Sequence, residues 1–219
     1  MHNTVQNLID IQNKLNSHLD EHKIDKVPKI IAVSKTFKIE KILPLINHGH
    51  KDFGENKVQE AIDKWTEIKL SNPNIRLHLI GKLQTNKVKF AVKIFDYIHS
   101  VDSKKLAKKI SDEQNKTNKK IKIFVQVNIG QEYQKSGINE NELNSLISYC
   151  SEINLDVVGL MCIPPMNEDS GIYFEKMKKL NEENNFRELS MGMSSDYLKA
   201  VTNNASYLRI GSSIFGERY

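Results

Sequence analysis

Arginine is scarce in this chain: 28 of its 32 basic side chains are lysine and only four are arginine. Readers of nucleic acid concentrate arginine on one face, because its planar fork pairs with phosphates and guanine edges. No such concentration occurs here. The lysines alternate with glutamates in amphipathic segments, the pattern of solvated helix faces, so a net charge of +5 does not by itself indicate a polyanion partner. Cysteine is scarcer still. Cys150 and Cys162 belong to no CxxC pair and no His–Cys cluster at ligand spacing, so neither a zinc site nor a disulfide framework is expected, and both read as buried thiols in a reducing compartment. No apolar run approaches the length of a membrane span, and residues 1–22 lack the apolar core of a secretion signal. A cytoplasmic protein with no membrane and no nucleic-acid partner is the expectation. The glycine-rich GxGxxG turn of dinucleotide folds is missing as well.

What is present is ordinary globular composition, 39% hydrophobic and 27% charged, in a length that suits one domain over 1–219 with a substantial core. Val5, Leu8, Ile11, Leu15 and Leu19 recur at three- and four-residue steps and predict an amphipathic helix over 3–22. The run Ile30-Ile31-Ala32-Val33 before Lys35 is apolar on both faces, as in a strand of a parallel sheet. A helix over 39–47 follows, then a strand over 51–56 leading into a helix to about 69. The alternation continues with strands over 76–81, 96–101, 121–128, 155–161, 188–191 and 207–210. Helices fall near 85–92, behind Asp102 or Ser103, over 140–151 and over 170–183. Eight strands separated by helices predict an α/β fold, a single (β/α)8 TIM barrel with an extra amino-terminal helix. An open doubly wound sheet is the runner-up. The chain stops too early for a full eighth helix, so helix 3–22 or the segment 212–217 is expected to cover that gap.

Functional groups of such barrels sit at the carboxyl ends of the strands. Those positions hold Lys35, Glu55 and Asn56, His78 and Gly81, Ser100, Asn128, Met161, the run Gly192-Met193-Ser194-Ser195-Asp196, and Arg209 with Gly211-Ser212-Ser213. A lysine at the mouth of a buried strand is partly desolvated, which lowers its pKa and suits Schiff-base chemistry with aldehydes; a lysine that merely ends a strand is the plainer alternative. The loops after strands seven and eight carry the small and hydroxylated residues that bind phosphate in this architecture, although Ser194 also suits a plain helix cap. Amine, anion cradle and arginine together fit pyridoxal 5′-phosphate (PLP). Arg209 would face its pyridine nitrogen and keep it unprotonated, unless it forms a structural ion pair inside the barrel.

Several ordered motifs support a family resemblance. Ala32-Val33-Ser34-Lys35, Phe53-Gly54-Glu55-Asn56 with Val58-Gln59-Glu60, His78-Leu79-Ile80-Gly81, Leu189 to Asp196, and Arg209-Ile210-Gly211-Ser212 resemble the pyridoxal phosphate homeostasis proteins, the YggS/PROSC family. The resemblance runs from about residue 30 onward. It implies a barrel similar to the alanine racemase N-terminal domain, binding PLP as a lysine aldimine at Lys35 with no turnover established. It implies Arg209 at the ring nitrogen, Ser194, Gly211 and Ser212 with the Met193 backbone at the phosphate, Asn56 beside the ring, and His78 lining the same pocket. The loop 130–137, with Tyr133 and Lys135, would sit at the rim. A monomeric carrier or reservoir in vitamin B6 homeostasis follows, with PLP-dependent apo-enzymes as candidate partners and no metal. The alternative is a racemase-like enzyme in which Lys35 acts as a base and Tyr133 or His78 as its counterpart. A racemase of this type usually draws its second acid or base from another domain, and none is expected here. A nucleic-acid or partner-binding module built on the lysine-rich helix 104–120 is a third reading.

Overall fold

The structure is a computed structural model and describes residues 2–217. Eight parallel strands close into a barrel in sequence order: β1 Lys29–Val33, β2 Asp52–Glu55, β3 Arg76–Leu79, β4 Tyr97–Val101, β5 Lys122–Gln126, β6 Asp156–Met161, β7 Glu188–Ser190 and β8 Tyr207–Ile210. Ile31 pairs with Arg209 and Ala32 with Phe53, which seals β1 between β8 and β2. The (β/α)8 expectation holds, and each strand lies within a residue or two of its predicted position.

Helices α1 Asn3–His22, α2 Ile39–Asn47, α3 Val58–Ser71, α4 Val88–Ile94, α5 Lys104–Thr117, α6 Glu140–Glu152, α7 Ser170–Glu183, α8 Tyr197–Thr202 and α9 Ser212–Phe215 surround the sheet. The caps follow the local chemistry. Ser103 Oγ accepts from the Leu106 amide at 3.3 Å, and Asp169 Oδ1 from the Gly171 amide at 3.1 Å, each satisfying an amide that has no intrahelical acceptor. Two short helices flank β8. Helix α1 packs on α9, α8 and α2, and Asn7 donates to the Ile214 carbonyl at 2.9 Å. It therefore covers the gap beside β8, with α9 next to it, so both candidates for that place contribute. Among the described residues no helix is long and apolar enough to cross a membrane.

The apolar residues fill the layer between sheet and helices, where Phe53, Trp65, Phe95, Phe174 and their neighbours are fully buried. The barrel interior has a different character. Ile31, Tyr97, Phe124, Met161 and Tyr207 form a second cluster there, interleaved with His78, His99 and Arg209, all at most 4% exposed. His78 stacks on Tyr97 with ring centres 4.4 Å apart, and His99 on Phe124 at 4.3 Å. Strand alternation dictates this set, because Tyr97 and His99, like Tyr207 and Arg209, are two residues apart and share a face. Both cysteines are free and buried; burial pushes the Cys150 thiol up to about 11 and the Cys162 thiol up to about 12, so neither is a thiolate near neutral pH.

Candidate functional site

At the carboxyl ends of the strands lies a cavity of about 340 Å³ lined by Lys35, Asn56, Ile163, Met193, Ser194, Ser195, Arg209, Gly211 and Ser212, with Val33 and Ile80. Residues from six strand ends thus meet in one space. Its size falls in the range of small-molecule sites, about 300–1,000 Å³.

Lys35 is half-buried, and the backbone on either side of it is held by β2 and α3. The Ser34 amide donates to the Gly54 carbonyl at 3.0 Å, the Ser34 hydroxyl to Glu55 Oε1 at 2.7 Å, and Lys64 Nζ to the Ser34 carbonyl at 2.9 Å. On the far side the Thr36 amide donates to Glu60 Oε1 at 2.5 Å. Lys64 also bonds Glu55 and Glu60, at 2.9 and 3.0 Å, and Trp65 Nε1 donates to Glu55 Oε1 at 3.0 Å. Burial raises the Glu55 pKa against the opposing pull of Lys64. Thr36 has φ +68°, an outlier for a β-branched residue and a cost of about 1–3 kcal/mol that the surrounding bonds must sustain. Sequence reasoning read Glu55 only as a strand end and gave Glu60, Lys64 and Trp65 no part in the site. Their signal was the acidic and basic spacing at the start of α3, which also describes any solvated helix.

Arg209 enters from β8, the strand that pairs with β1. Its Nη1 donates to Ser190 Oγ and its Nη2 to the Cys162 carbonyl, each at 2.8 Å, and its amide donates to the Gly192 carbonyl at 2.9 Å. No ion pair involves Arg209 among the described residues; burial lowers its pKa, and Cys162 and Asp196 oppose that only through longer-range charge effects. The structural-ion-pair alternative for this residue therefore fails, and a guanidinium with donors to spare lines the cavity.

Two turns form one wall of the cavity, one ahead of α8 and the other at the start of α9. Gly192 has φ +87°, and a Cβ there would stand 2.6 Å from Ala200 Cβ, so the loop requires glycine on two counts. Ser194 Oγ accepts from the Ser213 amide at 3.4 Å, which ties the two turns together. Gly192→Ala is expected to displace this loop and weaken binding of a phosphate-bearing ligand by about tenfold; ligand titration by calorimetry or absorbance checks it. Gly81 has a comparable role on the other side, since a Cβ there would lie 2.4 Å from the Asn56 carbonyl oxygen. That close approach seats Asn56 at the cavity.

The structure corrects one site expectation. His78 does not line the cavity: it is fully buried in the barrel interior, 3.0 Å from His99 Nε2 and 3.1 Å from Asp52 Oδ1, because its inward-facing position lies below the strand end. Met193 lines the cavity, but its amide donates to Asp196 Oδ1 at 2.6 Å, so its backbone is engaged within the loop. Tyr133 is fully exposed and, with Asn128 and Lys135, borders a separate space of about 610 Å³. Met161 belongs to the barrel core.

Comparison with known proteins agrees with this fold. Residues 10–219 match the family model described as alanine racemase, N-terminal domain. The pyridoxal phosphate homeostasis protein of Aquifex aeolicus is 39% identical over 87% of this chain and 87% of its own length; that of Escherichia coli K12 is 30% identical over 100% and 98%. PipY of Synechococcus elongatus PCC7942, solved with PLP bound, superposes with a TM-score of 0.80 at 32% identity, covering 92% of this chain and 100% of PipY. An alanine racemase of Clostridium difficile 630 shares the fold at 17% identity and a TM-score of 0.69, over 94% of this chain and 57% of the racemase. The chain belongs to the pyridoxal phosphate homeostasis protein family.

Proposed function

We propose that this chain binds PLP reversibly at Lys35 and acts as a carrier and reservoir of the cofactor in vitamin B6 homeostasis, supplying PLP-dependent apo-enzymes. The observation that carries this reading is one cavity lined at once by a clamped lysine, an arginine with no ion-pair partner among the described residues, and two tethered serine-glycine turns. Bound PLP would supply an aldehyde that condenses with an amine, with loss of water, on an electron-withdrawing pyridine ring. Lys35 Nζ would be the attachment point and Arg209 the donor to the ring nitrogen. Ser194, Gly211 and Ser212 would hold the phosphate, with Asn56 beside the ring. A permanently charged donor at that nitrogen disfavours its protonation, which weakens the ring as an electron sink and suits storage over turnover.

The racemase-like alternative needs a second acid–base group near the reacting carbon. Tyr133 and His78, the two side chains nominated for it, both lie outside the Lys35 cavity, and Asn56 does not titrate. Titrating PLP into the protein tests the proposal. A visible absorption band saturating at one equivalent and missing in Lys35→Ala supports it, whereas a protein that stays colourless refutes it. Racemisation or transamination of amino acids at enzyme-like rates, lost in Lys35→Ala, would favour the enzyme.

A further inference from the structure

Behind Arg209 a continuous hydrogen-bonded chain crosses the barrel interior from β8 to β2. Arg209 Nη1 donates to Ser190 Oγ at 2.8 Å; Ser190 Oγ lies 2.9 Å from His99 Nδ1; His99 Nε2 lies 3.0 Å from His78 Nδ1; His78 Nε2 lies 3.1 Å from Asp52 Oδ1. Asp52 is in turn gripped by Arg76 Nε and Nη2 at 2.6 and 2.5 Å. Ser190, His99 and His78 are fully buried, and Asp52 and Arg209 are 6% and 4% exposed.

The protons of this chain can be assigned from its ends. Arginine only donates, and an ionised carboxylate only accepts. Burial would raise the Asp52 carboxyl, but hydrogen bonds from Arg76 and His78 overcome this and hold it well below the usual range. Burial lowers both imidazoles, His99 the more strongly because His78 and Arg209 also oppose its charge, so both are neutral with one N–H each. Three links remain between Ser190 and Asp52, and Ser190, His99 and His78 supply one proton apiece. Asp52 must receive the proton of His78 Nε2, which leaves His78 Nδ1 to accept from His99 Nε2. His99 Nδ1 must then accept from the Ser190 hydroxyl. Only this order satisfies every group.

We propose that Ser190, His99, His78 and Asp52 are positioning residues, a one-way hydrogen-bond chain that keeps Arg209 charged and directed into the Lys35 cavity. Each donor in the chain is polarised by the next, ending on a carboxylate, so Ser190 Oγ becomes a stronger acceptor than an isolated hydroxyl. The chain thereby conveys part of the Asp52 charge to an arginine that has no ion-pair partner among the described residues. The role assigned to the ligand's ring nitrogen rests on the PLP-binding reading; the chain itself does not.

Histidine 15N NMR of the protein without cofactor tests the chain directly. His78 and His99 are expected as neutral Nε2–H tautomers at about pH 7 and above; an Nδ1–H tautomer or an imidazolium at either position there overturns the assignment. Loading with PLP labelled with 15N in the pyridine ring tests the consequence. Ser190→Ala, and His99→Phe as a second variant that keeps the stack on Phe124, are expected to retain attachment at Lys35. They should weaken PLP affinity by about tenfold and move the pyridine 15N resonance from its wild-type position. Attachment at Lys35 with unchanged affinity and resonance in both variants overturns the positioning role. Failure of the wild type to attach PLP overturns the functional reading and the ligand-directed part of this proposal together. If neither variant folds, the wild-type tautomers alone decide whether the chain exists as assigned.

Discussion

Trp65→Ala is expected to lower stability by about 4 kcal/mol and the melting temperature by about 8–16 °C, read by chemical and thermal unfolding. Trp65 is fully buried between α3 and the sheet, its ring centre 4.8 Å from that of Phe53, so truncation leaves a large cavity. It also removes one of the three hydrogen bonds at Glu55 Oε1, in a carboxylate whose Oε2 is buried with no partner. The loss reaches the site because Glu55 holds the Ser34 hydroxyl next to Lys35. PLP affinity should therefore fall along with stability. Trp65→Phe separates the two effects: it fills most of the volume without the N–H donor, and should cost about 1–2 kcal/mol.

Asp52→Ala is expected to cost about 3 kcal/mol at pH 7, the low end for breaking a buried pair. The reason for the low end is that the Arg76 side chain is 39% exposed and can recover solvent. The variant leaves His78 Nε2 without its acceptor. The effect depends on pH with a definite sign. The folded-state pKa of Asp52 is depressed by its bonds to Arg76 and His78. Its stabilisation is therefore complete above the unfolded carboxyl pKa near 3.9 and is lost as pH falls towards the folded value. Wild type and variant should differ fully at pH 7 and converge progressively below about pH 4. Denaturant melts at pH 7 and at about pH 3 check this; a difference that persisted undiminished as the carboxyl protonated would show that the loss is packing alone.

How much of this was legible in the chain depended on the range of each signal. The eight strands were readable because buried parallel strands are short β-branched runs, and Ile30 to Val33 or Ile121 to Val127 can hardly be read otherwise. Helix α8 went unseen because six residues, Tyr197–Thr202, are too few to display a period. At the site, Lys35, Arg209 and the two turns were visible from their place at strand ends, and the structure brings them to one cavity. His78 was misplaced by reading a strand-end residue as rim-facing, when alternation put it inside the barrel. The hydrogen-bonded chain from Asp52 to Ser190 was invisible for a different reason. Its links join strands far apart in sequence, up to 91 residues for His99 and Ser190, and no local pattern encodes which inward-facing polar groups will meet. A hint existed in His99, a polar residue sharing an inward face with Tyr97 in a fully buried strand, since buried imidazoles require partners.

One lysine among 28, Lys35, is the proposed attachment point. Borohydride reduction of the protein loaded with one equivalent of PLP, followed by peptide mass mapping, tests this most directly, because free PLP also reacts with surface lysines. A near-stoichiometric adduct is expected on the peptide containing Lys35, with only sparse, scattered labelling in Lys35→Ala. Label spread over the surface lysines of the wild type, or fixed at another single lysine, would contradict it.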